Sequence, residues 1–477
     1  MVVESLSPIK NFEIDTYDTD DDGRPRRKGT MVTASAHIIT SVIGSGVLSL
    51  AWATAQLGWV AGPIVLFGFA AITWYTACLL CDCYRCPGPN FGTRTYNYSG
   101  AVKAHLGGMR SKFCGVVQFI YLLGTAIGYT IATPISMAAI TRSNCFHKEG
   151  HGAGCHTSNN KFVIIFGIIQ IFLSQLPDFH NLAFISVVAA VMSFAYSTIG
   201  LGLCVATIIK NHNIENTGLI GVKIGEGGLT KSMKVFSVLQ AIGDIAFAYS
   251  YAPILLEIED TLKSSPPENE VMKKASMMGI AVTTVFYGLC GLLGYAAFGN
   301  EAPGNLLTGF GFYDPFWLVD IANLFVVIHL IGAYQVFIQP TFQIVEEWCK
   351  RKWPQNGFIG NEYPVKLCAG IGDFRLNAFR LVWRTTYVAA TCVVGMLFPF
   401  FNSVLGLLGA LAFWPLTLYF PTEMYKKQAG VERFSAAWMR VTVLSVVCLV
   451  VSILCAIGSF DGIITSLEKY KPFKFET

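Results

Sequence analysis

The chain has 477 residues, of which 53% are hydrophobic and only 13% charged, with a formal net charge of +4 and a mean hydropathy of +0.51. A soluble domain carries about 25% charged residues, so the composition excludes a soluble globular protein and places the chain in a lipid bilayer. The small positive excess reports on membrane orientation and gives no ground for a nucleic-acid partner.

Residues 1–30 are polar and lack an apolar signal-peptide core, so the first span is expected to act as an uncleaved anchor. An acidic run from Asp15 to Asp22 followed by Arg24-Pro25-Arg26-Arg27-Lys28 reads as a disordered cytosolic tail whose basic half meets anionic lipid. Beyond it, residues 31–477 read as one transmembrane domain. Apolar runs near the length of about 20 residues that spans a bilayer place helices at Met31–Gly58, Val60–Cys83, Phe113–Thr141, Phe162–Leu176, Leu182–Ile209, Val235–Ile258, Ala275–Phe298, Phe316–Ile344, Leu381–Phe398, Val404–Tyr419 and Val441–Ile457. With the N-terminus cytosolic and the C-terminus extracellular, the inside segments 10–28, 85–112, 263–274, 350–384 and 426–440 hold 24 of the 34 Lys and Arg residues. This layout satisfies the positive-inside bias.

The first span is interrupted at Gly44-Ser45-Gly46, where glycines weaken the helix and leave backbone N–H groups without partners. Such backbone survives at bilayer depth only where it lines a cavity or binds something. Five spans later, Gly243 and Pro253 bracket the small and hydroxylated run Phe247-Ala248-Tyr249-Ser250-Tyr251. Proline removes a backbone donor and predicts a second break just before it. Two breaks at matching positions of two halves are the pattern of inverted-repeat transporters, with repeats at about 31–209 and 235–420 and an extra helix at about 438–458. Half-helix ends converging at one point suit a zwitterion. Its carboxylate would lie on the amides of Gly44, Ser45 and Gly46 and its ammonium on carbonyls near Phe247 to Tyr249, with Phe247 and Tyr249 walling the side-chain pocket. Ala248, Ser250 and, from the eighth span, Asn323 complete the expected lining.

Cys145 and Cys155 share one loop on the outside, where an oxidising compartment favours a disulfide. The histidines of that loop, His147, His151 and His156, follow no zinc-site spacing, and no metal is expected. Cys78, Cys81, Cys83 and Cys86 cluster at the inner end of the second span; acylation or metal binding competes there with a plain cysteine-rich helix end. The sequon at Asn97 falls in a cytosolic loop and stays unmodified. No hydrolase, metalloprotease, phosphate-loop or dinucleotide motif occurs, so an enzyme is not expected.

The stretches from Ser35 to Trp59 and from Gly243 to Tyr251, Gly294-Tyr-Ala-Ala-Phe-Gly299, residues 303–311, His329-Leu-Ile-Gly-Ala-Tyr-Gln335 and Gly406-Leu-Leu-Gly-Ala-Leu-Ala-Phe413-Trp414-Pro415 resemble the amino acid permeases of plants, within the amino acid/auxin permease family. The likeness runs from about Asp20 to Phe475 and is weakest in the tail and in residues 211–232. It implies an all-α fold of the leucine-transporter type, five plus five inverted helices with discontinuous helices one and six and one helix more. It also implies proton-coupled import of a broad range of L-amino acids, mainly neutral with acidic ones as a secondary class, at the plasma membrane by alternating access. No cofactor is implied, since the proton gradient drives transport, and the partners are the amino acid, protons and membrane lipid.

Proton coupling needs a group whose charge changes near the substrate. Asp244, about ten residues into the sixth span, is the leading candidate, with His37 and His329 as further titratable groups and Glu257 as a gating residue. An auxin carrier, a non-transporting amino acid sensor and a channel are the competing readings. The permease motifs argue against the first, vesicle uptake separates the second, and no filter sequence supports the third.

Overall fold

A computed structural model describes residues 19–175, 179–211, 216–310, 315–365 and 374–469. The tail before Thr19, part of the loop at residues 211–232 and the last eight residues lie outside the described residues.

Helix α1 (Met31–Val42) starts where the Thr30 side chain accepts a hydrogen bond from the Thr33 N–H and Thr33 answers in kind, a reciprocal cap. It ends before Gly44. A 3₁₀ segment, Ser45–Ser49, then leads into α2 (Leu50–Cys81). The chain turns within α2 at Gly58, whose φ of 78° belongs to the left-handed region and whose Cα faces the backbone of Leu219 to Gly221 too closely for any side chain. The first two expected spans are therefore present, with their boundary at Gly58.

A hairpin of β1 (Arg85–Gly88) and β2 (Phe91–Arg94) follows, then α3 (Tyr98–Leu106), α4 (Gly108–Glu149), α5 (Asn160–Ser174) and α6 (Phe179–Asn211). The second half opens with α7 (Lys231–Ala248), capped by the Thr230 hydroxyl, and α8 (Ala252–Glu259), with Pro253 in its first turn. Next come α9 (Glu268–Phe298), α10 (Phe316–Lys352), the single turn α11 (Gly357–Gly360), a hairpin of β3 (Glu362–Val365) and β4 (Phe374–Asn377), α12 (Ala378–Leu397), α13 (Phe401–Ala412), α14 (Phe420–Gln428) and α15 (Ala436–Lys469). A π-helical stretch, Phe413–Tyr419, containing Pro415, joins α13 to α14, so the tenth span is longer than its apolar run.

Eight helices are long and apolar enough to cross a membrane; α1 and α5 are shorter apolar helices among the described residues. Helix α9 is the spine of the first break. Its Gly279 abuts Ile38 of α1, while Gly291 and Gly294 abut Thr54 and Ala51 of α2, so small residues bring α9 against both halves of the interrupted helix. Helix α7 packs on α2, α13 and α15.

The tail is ordered from Thr19 onward, which corrects the expectation of disorder to residue 30. The reason is an ion network with little access to solvent. The Arg27 guanidinium, 8% exposed, pairs with Asp20 (3.1 Å), Asp22 (2.8 Å) and Asp260 (2.8 Å), the last at the end of α8. Its Nε donates to the Asp260 carbonyl at 2.5 Å, and the Tyr84 hydroxyl donates to the same carboxylate. Asp21 binds Arg85 (2.7 Å) and Arg94 (2.5 Å), and Arg85 also holds Glu268 (2.8 Å). The hydrogen bond from Arg27 holds the Asp22 carboxyl well below the usual carboxylate range. Gly29 adds a backbone clasp, its N–H donating to the Thr261 carbonyl at 2.9 Å.

Removing one partner of a buried ion cluster costs about 3–5 kcal/mol, because the remaining charges are left unpaired. Arg27→Ala is therefore expected to free the tail. Trypsin should cleave the detergent-purified variant after Arg26 and Lys28 at least about tenfold faster than the unaltered chain, and equal rates would show that Arg27 does not hold the segment.

Candidate functional site

The two breaks face each other. Gly46 packs on the last turn of α7, where a Cβ on Gly46 would lie 3.1 Å from both Cα and Cβ of Ala248. The backbone N–H groups of Gly44, Ser45 and Gly46 make no backbone hydrogen bond among the described residues, and Ser45 is 3% exposed. Buried donors without partners are rare enough that each requires an explanation. Here three lie together, on half-buried Gly44 and buried Ser45 and Gly46.

The opposing break runs from Tyr249 to Tyr251. Its carbonyls are partly engaged: Phe247 accepts from the Ser250 N–H (3.0 Å), Tyr249 from the Tyr251 N–H (3.0 Å) and Ser250 from the Tyr121 hydroxyl of α4 (3.1 Å). The Ala248 carbonyl lies 3.1 Å from the hydroxyl of Tyr287 on α9, which also reaches the Val42 carbonyl at the end of α1. One turn before it, Thr284 pairs with the Tyr249 hydroxyl at 3.0 Å. A carbonyl has two lone pairs, so each retains capacity for a cation. Phe247, Ala248 and Tyr249 are all buried, and Ser250 is half-buried with its hydroxyl on the Ala246 carbonyl (2.8 Å).

His329 of α10 stands on the other side of the first break. Its Nδ1 lies 2.7 Å from the Ala189 carbonyl, which can only accept, so Nδ1 carries the proton in the neutral ring. Nε2 is left as an acceptor with no protein partner, 3.5 Å from where a Gly44 Cβ would be. Asp244 lies one turn above Ala248 on α7, fully buried, and neither carboxylate oxygen has a hydrogen-bond partner. It faces Gly406 of α13 and Ser459 of α15.

The remaining expected residues sit elsewhere. His37 is exposed on α1, and Glu257 is exposed on α8. The ion pairs at that end are made by Asp260 instead, while the buried carboxylate of α8 is Glu259, which the sequence reading passed over. Asn323 is fully buried and bonds the Val319 carbonyl of its own helix (3.0 Å), and nothing joins it to either break. Cys145 and Cys155 are bonded, with Cα atoms 5.8 Å apart, so their sulfurs are not free for the metal cluster that Glu149 would complete. Cys81 and Cys83 are buried and inaccessible to acylation; Cys78 and Cys86 are half-buried. Tyr121, Thr284, Tyr287 and Ser459 were also missed. Their only sequence signal is a hydroxyl in mid-span, which is common in membrane helices.

At the end opposite the Arg27 network are two polar cavities, of about 200 and 330 Å³, sharing Trp52, Ser403 and Ser466. An apolar groove of about 290 Å³ beside Phe113, Tyr121 and Trp414 has almost no polar lining and is not the site.

Both the fold and the sequence have known relatives. The chain shares its fold with MhsT, solved as a crystal structure in complex with L-phenylalanine (TM-score 0.53, 12% identity, covering 92% of this chain and all of that one). It is equally similar to Mhp1 in an inward-facing conformation (TM-score 0.53, 13% identity, covering 93% and 91%). It is 57% identical over 468 residues, 98% of each chain, to amino acid permease 8 of Arabidopsis thaliana. Residues 27–465 match the family described as transmembrane amino acid transporter protein, and the chain belongs to that family.

Proposed function

We propose that the protein imports a broad range of L-amino acids, mainly neutral with acidic ones as a secondary class, together with protons across the plasma membrane by alternating access. The observation that carries this reading is the cluster of unpartnered N–H groups at Gly44 to Gly46 facing the α7 break, with a free imidazole acceptor beside it. An α-carboxylate meets the three N–H groups, while the ammonium meets the second lone pairs of the carbonyls from Phe247 to Tyr249 and the His329 Nε2. Phe247 and Tyr249 wall the side chain. Asn323 is kept as a more distant lining residue.

The two five-helix halves, about residues 31–209 and 235–420, move against each other with the last helix outside the repeat. The Arg27 network closes the cytosolic end, and the polar cavities belong to the extracellular one. This orientation follows the charge bias, with the N-terminus inside and the C-terminus outside. Glu257 stands near this inner closure. No cofactor takes part, and lipid is the surrounding solvent.

Asp244 carries the proton in this reading. A carboxylate at this depth without a partner is costly when charged, so protonation from outside favours the occluded, substrate-loaded state. Uptake therefore rises as the outside pH falls and declines as it rises. Asp244→Asn, a permanent mimic of the protonated form, should keep exchange of labelled alanine but sustain no concentration gradient under a pH difference. Retained gradient-driven accumulation with an unaltered pH profile would move the proton to His329, the other buried titratable group beside the breaks, or to His37.

The carboxylate cradle has its own test. A valine at Gly46 collides with Ala248 and at Gly44 approaches His329, and such overpacking costs about 1–3 kcal/mol before any loss of ligand contacts. Gly44→Val and Gly46→Val should reach the membrane and lose uptake by at least about tenfold. Near-normal uptake by either would remove the cradle assignment.

A further inference from the structure

Asp244 faces away from the lipid, toward the junction of α7, α13 and α15, and this junction opens into the smaller polar cavity. Gln240, one turn before Asp244, lines that cavity with Ser403 of α13 and Asp461, Thr465 and Ser466 of α15. The floor is glycine. A Cβ on Gly462 would lie 2.3 Å from the Gln240 Oε1 and 2.9 Å from the Ser403 Oγ. One turn deeper, a Cβ on Gly406 would lie 2.6 Å from the Ser459 Oγ, and 3.0 Å from both the Asp244 Oδ1 and the Gln240 carbonyl. Ser459 and Asp244 thus face one another across a residue that has no side chain. Both are fully buried, and neither has a hydrogen-bond partner in the protein.

We propose that the proton reaches Asp244 from the outer cavity through the Ser459 hydroxyl, so that the last helix, which lies outside the repeats, supplies the proton entrance. The inference rests on the reading that Asp244 carries the coupled proton. A hydronium in the cavity, carrying the proton from outside, hands it to the Ser459 oxygen and becomes water as the hydroxyl passes its own proton to the Asp244 carboxylate. Rotation of the hydroxyl restores it, with one proton moved and no other bond changed. Serine suits the task because one oxygen both accepts and donates.

The groups around Asp244 leave few other donors. From α15 it meets Ser459 and, within electrostatic reach, the Cys455 thiol. Helices α2 and α13, which also pack on α7, contain no charged residue, and the nearest carboxylate along the route is Asp461 at the cavity wall. The substrate cradle lies one turn further in, at Gly46 and Ala248. Proton and amino acid therefore approach α7 from different sides.

The test compares Ser459→Ala, Ser459→Thr, Ser403→Ala and Asp244→Asn in proteoliposomes, measuring the outside-pH profile of labelled alanine uptake beside alanine exchange. Ser459→Ala should need an outside pH about one unit lower to match the uptake rate of the unaltered chain, because without the relay proton delivery slows about tenfold and a tenfold rise in proton concentration makes up the difference. Ser459→Thr, which keeps the hydroxyl, should restore the profile. In an Asp244→Asn background, Ser459→Ala should add nothing. Ser403→Ala, at the cavity floor, should shift the profile in the same direction and gives the reading should Ser459→Ala fail to reach the membrane. Unshifted profiles in the serine variants, with gradient-driven accumulation still lost in Asp244→Asn, would overturn the route and leave the role of Asp244 standing. Unimpaired accumulation in Asp244→Asn would instead remove the proton reading itself.

Discussion

A single hydroxyl lies between the two interruptions. Tyr287 of α9 reaches the last carbonyl of α1, Val42, and the last carbonyl of α7, Ala248. Carbonyls at helix ends in a bilayer have no water to turn to, and each one left unpaired is costly. Sharing its one proton between the two carbonyls, Tyr287 sets the distance between the breaks, and the unpartnered N–H groups of Gly44 to Gly46 and the carbonyls of α7 then face one space. Thr284, one turn away on the same face of α9, takes the Tyr249 hydroxyl and holds that ring in place. Helix α9 can do this because its glycines bring it against both halves of the interrupted first helix.

The two ends of the bundle are built from different chemistry. At the Arg27 end, three arginines and the carboxylates of Asp20, Asp21, Asp22, Asp260 and Glu268 interlock. Arg27 joins the ordered tail directly to the inner half of the second broken helix through Asp260. Movement of α8 must therefore strain or break these pairs. The opposite end has no comparable ionic closure among the described residues and instead opens into cavities lined by serine, asparagine and tryptophan. Strong ionic contacts at one end and weakly polar contacts at the other describe a state closed on the Arg27 side.

Helix α7 stands between two environments. Ala248 touches the first break, and Asp244, one turn earlier, faces α13 and α15. A rise of 1.5 Å per residue separates the two by about 6 Å along the axis. In the function proposed above, substrate closing on Gly46 and a change of charge at Asp244 would act on the same rigid turn. That proximity lets the two events be linked without a chain of intermediate residues.

The membrane class and the positions of both breaks were legible in the sequence, while of the eleven spans expected eight stand as helices long and apolar enough to cross a membrane among the described residues. Apolar run length is fixed by bilayer thickness, and Gly44, Gly46 and Pro253 act on the backbone locally, whatever surrounds them. Asp244 was legible as a buried carboxylate for the same reason, since any charge in mid-span must be accommodated. Partners across the bundle were not legible. Tyr287, Ser459 and Glu259 look in sequence like hundreds of other hydroxyls and carboxylates near membrane helices, and His37 and His329 look equally titratable. Only the packing of α9, α10 and α15 decided that His329 faces Gly44 while His37 is exposed, and that Ser459 and Asp244 both border Gly406. The ordering of residues 19–30 was decided likewise, because an alternation of acids and bases reads as a solvated tail until the arginines that pair with it, some of them sixty residues away, are brought alongside. Local backbone chemistry is carried by the sequence itself; the sharing of hydrogen bonds between distant helices exists only once the tertiary fold has set their rotation and distance.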